Sequence, residues 1–117
     1  MMYFDESIQV YVSLGSVDFR RGLDGLLGLV ESTFGHAPQE QYLFIFRDRS
    51  RRKIKALFWD KNGFVLLYKR LENGTFQFPK NQMGNIELNR LQLECLLSGM
   101  SFASTLKTQQ QKYSVFS

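Results

Sequence analysis

Aromatic and β-branched residues are concentrated between residues 42 and 80, in three segments with the composition of β-strands and a fourth, shorter one. Two Asn-Gly pairs, Asn62-Gly63 and Asn73-Gly74, and an arginine-rich turn at 48–52 separate these segments. Asn-Gly is typical of two-residue hairpin turns. The stretch therefore predicts an antiparallel β-meander.

The turns imply a register, which sorts the side chains onto two faces because successive residues of a strand point to opposite sides. An Asn-Gly hairpin places Lys55 opposite Arg70, and a five-residue loop at 48–52 places Phe46 opposite Ile54. One face is then almost wholly apolar and is the expected core: Phe44, Phe46, Ile54, Ala56, Phe58, Val65, Leu67, Leu71, Phe76 and Phe78. The other face mixes apolar, aromatic and cationic side chains: Leu43, Ile45, Lys53, Lys55, Leu57, Trp59, Leu66, Tyr68, Arg70 and Gln77.

The segment before the meander predicts one strand and one helix. Residues 8–14 are rich in Val, Ile and Tyr and alternate loosely, which is typical of a strand. Asp18 can cap a helix whose apolar residues recur at helical spacing as far as Phe34. Gly35 then suits the left-handed position that follows a helix.

The segment after the meander predicts a second helix over residues 86–98, with Asn85 as its cap and Gly99 after its end. The expected fold class is α+β: an antiparallel β-meander of four to five strands with two α-helices packed on one face. We expect residues 1–100 to form a single domain. The polar residues 101–117 are expected to form a frayed or disordered tail.

Composition excludes several classes of function. The only cysteine is Cys95 and the only histidine is His36, so neither a disulfide nor a Cys/His metal cluster is expected. Phosphate-loop, dinucleotide-binding, nucleophile-elbow and zinc-protease motifs are absent, and we expect no cofactor and no small-molecule substrate. The acidic N-terminus has no signal-peptide pattern, and no apolar run is long enough to span a membrane, so a cytoplasmic location is expected.

Positive charge is unevenly distributed. Residues 42–80 carry ten Lys and Arg against three acids, whereas the rest of the chain carries five against eight. Such a patch indicates either a polyanion-binding face or a solvated sheet edge that resists aggregation. Arg20 and Arg21 lie near the expected start of the first helix, where they either contribute to an anion site or pair with Asp18 or Asp24.

Five blocks of the sequence have a distinctive order and spacing. The first is Val-Asp-Phe-Arg-Arg-Gly-Leu-Asp-Gly-Leu-Leu-Gly-Leu-Val at 17–30, and the second is Leu-Phe-Ile-Phe-Arg-Asp-Arg-Ser-Arg-Arg-Lys-Ile-Lys at 43–55. Further blocks follow at 57–64, 68–76 and 93–99. Together they resemble the small TnpB proteins of insertion sequence 66 elements, also called the second-open-reading-frame family.

The resemblance implies an accessory protein for DNA transposition, encoded beside a separate transposase that performs strand transfer. It implies no catalytic residues, so we expect a non-enzymatic protein whose partners are element-end DNA and that transposase. The basic pattern and the matched blocks together predict these DNA-contacting residues: Arg20, Arg21, Arg47, Arg49, Arg51, Arg52, Lys53, Lys55, Trp59, Tyr68, Lys69 and Arg70.

Two other functions compete with DNA binding. A protein–protein adaptor would dock on the transposase through Leu57, Trp59 and Tyr68, since Trp and Tyr often anchor interfaces. A metal-dependent nuclease would need three carboxylates, for which Asp18, Asp60 and Glu72 are the candidates. If a further layer covers the mixed face, Trp59 and Tyr68 belong to the core and only the arginine-rich turn is left to function.

Overall fold

The computed structural model describes residues 7–80 and 84–103. Within these residues the strands are β1 Gln9–Ser16, β2 Tyr42–Arg47, β3 Lys53–Asp60, β4 Gly63–Arg70 and β5 Asn85–Leu88. The helices are α1 Leu23–Leu29, which continues as a π-helical turn Val30–Phe34, and α2 Arg90–Leu97.

The five strands form one sheet in the order β4-β3-β2-β1-β5. Three of the four strand pairs are antiparallel, and β1 runs parallel to β2. The parallel pair exists because α1 carries the chain back across the sheet between these two strands, as a crossover connection requires. The α+β prediction, with a largely antiparallel five-stranded sheet and two helices, is confirmed. The sheet departs from a simple meander at two places, since β1 runs parallel to β2 and β5 pairs with β1 rather than with β4.

The β3–β4 hairpin turns one residue earlier than the Asn-Gly pattern predicted. Asp60 pairs with Gly63, so the turn residues are Lys61 and Asn62, and Lys61 has a φ of 53°. The register is thereby shifted by two residues, and Lys53 rather than Lys55 lies opposite Arg70. A shift of two preserves the side-chain alternation, so the faces assigned to β3 and β4 are correct.

The predicted β2–β3 register is wrong by one residue. Arg47 pairs with Ile54, because the loop between them holds six residues rather than five and contains Arg51 at a φ of 62°. A one-residue shift moves every side chain of β2 to the other face. Phe44 and Phe46 therefore lie on the same side as Leu57, and not beside Ile54 as predicted.

The two helices cover opposite faces of the sheet, and not one face as the sequence pattern suggested. On the α1 side, Leu26, Val30 and Phe34 pack against the side chains of Phe44 and Phe46. The α2 side has its own cluster, built from strand, helix and loop residues: Val10, Val12, Leu43, Ile45, Ile54, Ala56, Phe58, Phe76, Phe78, Leu93, Leu96 and Phe102. The cause is the register of β2, whose apolar side chains alternate between two cores.

The start of α1 also differs from the prediction. Gly22 occupies the N-cap without a side-chain cap, and the Asp18 carboxylate instead accepts hydrogen bonds from Arg20. The end is as expected: Gly35 has a φ of 69°, a left-handed conformation that glycine adopts readily.

The chain from 85 to 98 divides into a strand and a helix, rather than forming one helix capped by Asn85. Residues of β5 pair with β1, and α2 begins after Asn89. The Asn89 side chain accepts from the backbone of Gln92, and the Gln92 side chain accepts from the backbone of Asn89, which is a capping box. The expected end at Gly99 is confirmed by its φ of 78° and by the bond from the Met100 N–H to the Cys95 carbonyl.

The predicted fourth, shorter strand, around residues 75–78, does not form and is not part of the sheet. Its Phe76 N–H donates to the Arg51 carbonyl at 2.7 Å, and Phe76 and Phe78 are buried in the α2-side core. Phe102 is buried in the same core. Of the expected C-terminal tail, residues 104–117 lie outside the described part of the chain.

Candidate nucleic-acid interface

The topology brings the ends of four strands together at one end of the sheet. Because β1 and β2 are parallel, both end here, where β3 begins and β4 ends. The loops that follow β1 and β2 therefore lie side by side, and the Val17 N–H donates to the Arg47 carbonyl at 2.8 Å. We call this region the cationic end and define it by seven residues: Arg20, Arg21, Arg49, Arg51, Arg52, Lys53 and Arg70.

The arginine-rich turn is folded back onto the protein and does not project from it. The Arg51 and Arg52 carbonyls accept hydrogen bonds from the backbone of Phe76 and Leu71, at 2.7 and 2.8 Å. The Arg52 guanidinium donates to the Glu72 carbonyl at 3.1 Å. These bonds brace the turn against residues 71–76, so it is not a free hairpin tip.

Arg47 serves the fold. Its guanidinium is partly buried, donates to the carbonyls of Leu14 and Asp48 at 2.9 and 3.1 Å, and lies 5.3 Å from the centre of the Phe78 ring. Burial, with a smaller contribution from nearby Arg51, lowers the pKa of Arg47 from its usual value. With its donors directed inward, Arg47 joins β1, β2 and the α2-side core.

Two lysines among the predicted DNA-contacting residues also have structural partners. Lys55 Nζ donates to the carbonyls of Phe19 and Arg21 at 3.1 and 3.2 Å, and it lies 4.8 Å from the centre of the Phe19 ring. Lys69 Nζ donates to the Leu97 carbonyl at 2.7 Å, at the end of α2. Lys55 thus holds the loop after β1 against the sheet, and Lys69 satisfies a carbonyl that the helix leaves without a partner.

Two arginines of the cationic end form exposed ion pairs with nearby acids. Arg20 Nη2 lies 2.6 Å from Asp18 Oδ2. The sequence allowed Arg20 either to pair with Asp18 or to contribute to an anion site, and in the structure it pairs with Asp18. Hydrogen bonds from the Arg20 side chain and backbone lower the pKa of Asp18 to about 2. Arg70 pairs likewise with Glu72 at 2.9 Å, and this pair raises the pKa of Arg70.

Four residues of the cationic end have side chains without a partner in the described part of the chain. The side chains of Arg21, Arg49, Arg51 and Lys53 make no hydrogen bond or ion pair with any residue that the structure describes. Arg21, Arg49 and Arg51 are exposed and Lys53 is half-buried. Lys53 also lies directly opposite Arg70, a like-charge pairing that costs stability unless an anion neutralises it.

Two open clefts adjoin at Asp48 and Lys53, and both are lined by residues of the cationic end. The larger, of about 620 Å³, lies between the loop after β1 and the arginine-rich turn; its lining includes Val17, Phe19 and Arg49. The smaller, of about 480 Å³, is lined by Asp48, Ser50, Arg52, Lys53, Arg70 and Glu72. The cationic end is therefore concave and bears cations on both sides of Lys53.

The two aromatic residues predicted to contact DNA, Trp59 and Tyr68, lie at different distances from the cationic end. Trp59 is six residues along β3 from Lys53, a distance of about 20 Å at the usual rise per residue. It is half-buried, with the Phe64 ring edge-on at 4.8 Å between centres. Tyr68 is 53% exposed and lies two residues before Arg70. Helix α1 covers the centre of the sheet face that bears Trp59 and Tyr68, so only the rim of that face is accessible.

The three carboxylates considered for a nuclease do not share one site. Asp60 lies at the turn between β3 and β4, at the opposite end of β3 from the loops that carry Asp18 and Glu72. Across residues 7–80 and 84–103, no three His, Cys, Asp or Glu side chains are arranged to hold a metal ion. No helix in this part of the chain is long and apolar enough to cross a membrane.

Sequence reasoning missed the lining of the larger cleft, which includes Ser16, Val17 and Phe19. Their position depends on the parallel pairing of β1 with β2, which local pattern does not reveal. The available signal was the helix between the two strands, because a strand–helix–strand unit favours parallel pairing.

These features define a small α+β protein with one braced, concave and cationic sheet end. The family described as IS66 Orf2-like protein matches residues 8–107, and the chain belongs to this family. The match includes every residue of the cationic end.

Two curated relatives come from Sinorhizobium fredii (strain NBRC 101917 / NGR234). "Uncharacterized protein y4jC" is 32% identical over 95 residues, which cover 81% of either chain. "Uncharacterized protein y4hO" is 32% identical over 108 residues, which cover 92% of this chain and 94% of the relative. No solved structure matches the chain significantly.

Proposed function

We propose that this protein is a non-catalytic accessory factor for transposition of its insertion sequence, and that it binds the DNA phosphate backbone through the cationic end. Membership of the IS66 Orf2-like family supports the role in transposition. The proposed partners are the DNA of the element ends and the separate transposase of the same element.

One observation carries the DNA-binding proposal. The side chains of four cations at the cationic end, Arg21, Arg49, Arg51 and Lys53, make no hydrogen bond or ion pair with the described residues, although the charge of Arg21 helps to lower the pKa of Asp18. Other cations nearby, such as Arg47 and Lys55, are engaged with carbonyl groups. Unpaired cations gathered at one end of the sheet, of which Arg49 and Lys53 line a cleft, favour a polyanion, because each phosphate contact releases condensed counterions from DNA.

The mode of binding follows from the bracing of the arginine-rich turn. A turn held by backbone bonds to Leu71 and Phe76 presents its side chains along a surface. Contacts of this kind fix the position of a protein on DNA and carry little sequence information by themselves. We therefore expect modest sequence preference for the protein alone, with site selection supplied by the transposase.

The test is the salt dependence of binding to element-end duplex. Neutralising four phosphates gives a slope of about −3.6 for log K against log salt. The triple variant Arg49→Gln, Arg51→Asn, Lys53→Gln is expected to lower the magnitude of the slope by about 2.7. Arg51 is replaced by Asn because its φ of 62° suits that residue.

Lys61→Asn is the matched control, since it removes one exposed cation at the opposite end of the sheet. It also keeps a residue suited to a positive φ at that turn. The control is expected to bind as the unmodified protein does, whereas Arg49→Gln alone is expected to reduce the magnitude of the salt slope by about 0.9. Binding that is absent, independent of salt, or equally affected by both single variants would refute the proposal.

The adaptor function keeps one supporting observation, the exposed ring of Tyr68. Leu57 is 1% exposed and is not available as an anchor. An adaptor would capture the transposase in the absence of DNA and would be indifferent to the triple variant. A pull-down with purified transposase, repeated after nuclease treatment, separates the two functions.

A further inference from the structure

One edge of the sheet is long and apolar. In the described residues β4 pairs only with β3, along all eight of its positions. Its central residues are Phe64, Val65, Leu66, Leu67 and Tyr68. An exposed edge of this kind is a ready template for another strand. The opposite edge, β5, has only four residues and carries an exposed Glu87, two features that discourage pairing.

The outward-facing backbone groups of β4 can be identified. The Leu71 N–H donates to the Arg52 carbonyl at 2.8 Å, in line with the β3–β4 register. Hydrogen-bonded and non-hydrogen-bonded pairs alternate along an antiparallel ladder. The odd-numbered residues of β4 therefore bond to β3, and the N–H and C=O groups of Phe64, Leu66 and Tyr68 point away from the sheet.

We propose that β4 pairs antiparallel with β4 of a second copy of this chain, about a two-fold axis at Leu66. Such an axis stands perpendicular to the sheet and keeps each face continuous across the junction. Leu66 then lies opposite Leu66 of the second copy, Phe64 opposite Tyr68, and Val65 opposite Leu67. The outward groups of 64, 66 and 68 form the new ladder.

The charges of the strand select this register and favour a second copy. Lys69 falls opposite Gly63 and Arg70 opposite Asn62, so no two cations meet. Displacing the axis to Val65 sets Lys61 opposite Lys69, and like charges placed directly opposite destabilise a sheet. Displacing it to Leu67 places Arg70 against the apolar Phe64. The strand is thus self-complementary at its apolar centre.

Apolar groups beside β4 extend the junction on both faces. On the α1 side the Phe64–Tyr68 pairs adjoin Trp59, whose ring contacts Phe64. On the α2 side an open cleft of about 420 Å³ is lined by Leu67 and Leu97 among others, and Val65 of the second copy falls beside it. Assembly stops at two copies, because the edges that remain are the short β5 strands.

The first test measures the mass of the full chain by light scattering after gel filtration, over a hundredfold range of concentration. The expected mass is twice the 13.7 kDa of one chain. Tyr68→Pro removes one outward N–H per chain without touching the β3 ladder, and it is expected to give a monomer. Tyr68→Thr, the matched control, keeps the N–H and is expected to retain measurable dimer.

A cross-linking test covers the case in which Tyr68→Pro does not fold. In a Cys95→Ser background, Leu66→Cys places two thiols opposite each other on the axis, within the range of Cα separations that a disulfide bridges. Val65→Cys places its thiols two positions apart and is the control. Mild oxidation is expected to cross-link the first variant and leave the second monomeric under denaturing electrophoresis.

A monomer at every concentration overturns the proposal, as does a dimer that a folded Tyr68→Pro variant leaves intact. Equal cross-linking of the two cysteine variants, or none in either, overturns the register. Binding of the transposase at β4 in place of a second copy would appear as a one-to-one complex lost in Tyr68→Pro, and it would also refute self-pairing.

Discussion

Lys55→Met distinguishes a DNA-contacting residue from a residue that supports the fold. The ammonium group donates to the carbonyls of Phe19 and Arg21 and lies 4.8 Å from the Phe19 ring centre. Methionine keeps a long apolar stem and removes these three interactions. We therefore expect a loss of stability, with only an indirect effect on binding.

The magnitude follows from the surroundings of each interaction. A hydrogen bond to a charged group contributes about 1.5–3 kcal/mol, and the low end applies because one of these two is exposed. A cation–π contact at an accessible site adds about 0.5–1 kcal/mol. Allowing for overlap, the free energy of unfolding should fall by about 2–3 kcal/mol. For a domain of this length, that lowers the unfolding midpoint by about 8–12 °C.

The assay combines urea denaturation of both proteins with the salt dependence of DNA binding. Lys55→Met should unfold at a lower urea concentration, with the same dependence of the unfolding free energy on urea. The slope of log K against log salt for DNA binding should equal that of the unmodified protein within error. A salt slope lowered by about 0.9, with stability changed by less than about 0.5 kcal/mol, would refute the structural role. Lys55 would then be a phosphate contact, as the sequence pattern suggested.

Two further predictions test local features of the fold. Asn89→Ala removes the side-chain half of the α2 capping box and should cost about 1 kcal/mol of unfolding free energy; an unchanged urea midpoint would contradict this. Asp18 has its pKa lowered from 3.8 to about 2, chiefly by the Arg20 side chain, so its stabilising contribution is present above pH 4 and is lost as the pH falls towards 2. Asp18→Asn should therefore flatten the decline of the thermal midpoint between pH 4 and 2, and an identical decline in both proteins would show that the pair is not formed in solution.

Local signals in the sequence were enough to find most elements of the fold. The turns and β-rich composition located β2, β3 and β4, and helical spacing ending in glycine located the ends of both helices at Gly35 and Gly99. The charge asymmetry directed attention to the arginine-rich turn. These features depend on a few neighbouring residues, so they could be predicted without knowledge of the tertiary structure.

The partners of the cations could not be predicted in this way. Lys55 meets the carbonyl of Phe19, 36 residues away, and Lys69 meets that of Leu97, 28 residues away. A basic residue in a strand has the same local pattern whether it faces a carbonyl or solvent. Only the tertiary contacts divide the twelve predicted residues into those engaged in the fold and those free to bind.

The sequence by itself determined the alternation within each strand, and tertiary structure decided how the strands were placed beside one another. The error at the β3–β4 turn was two residues, an even number, so the predicted faces remained valid. The error at the β2–β3 loop was one residue, which moved Phe44 and Phe46 to the α1 side and produced two cores instead of one. The physical reason is that side chains alternate with a period of two, whereas register depends on the conformation of one loop residue, Arg51, and on burial against distant elements.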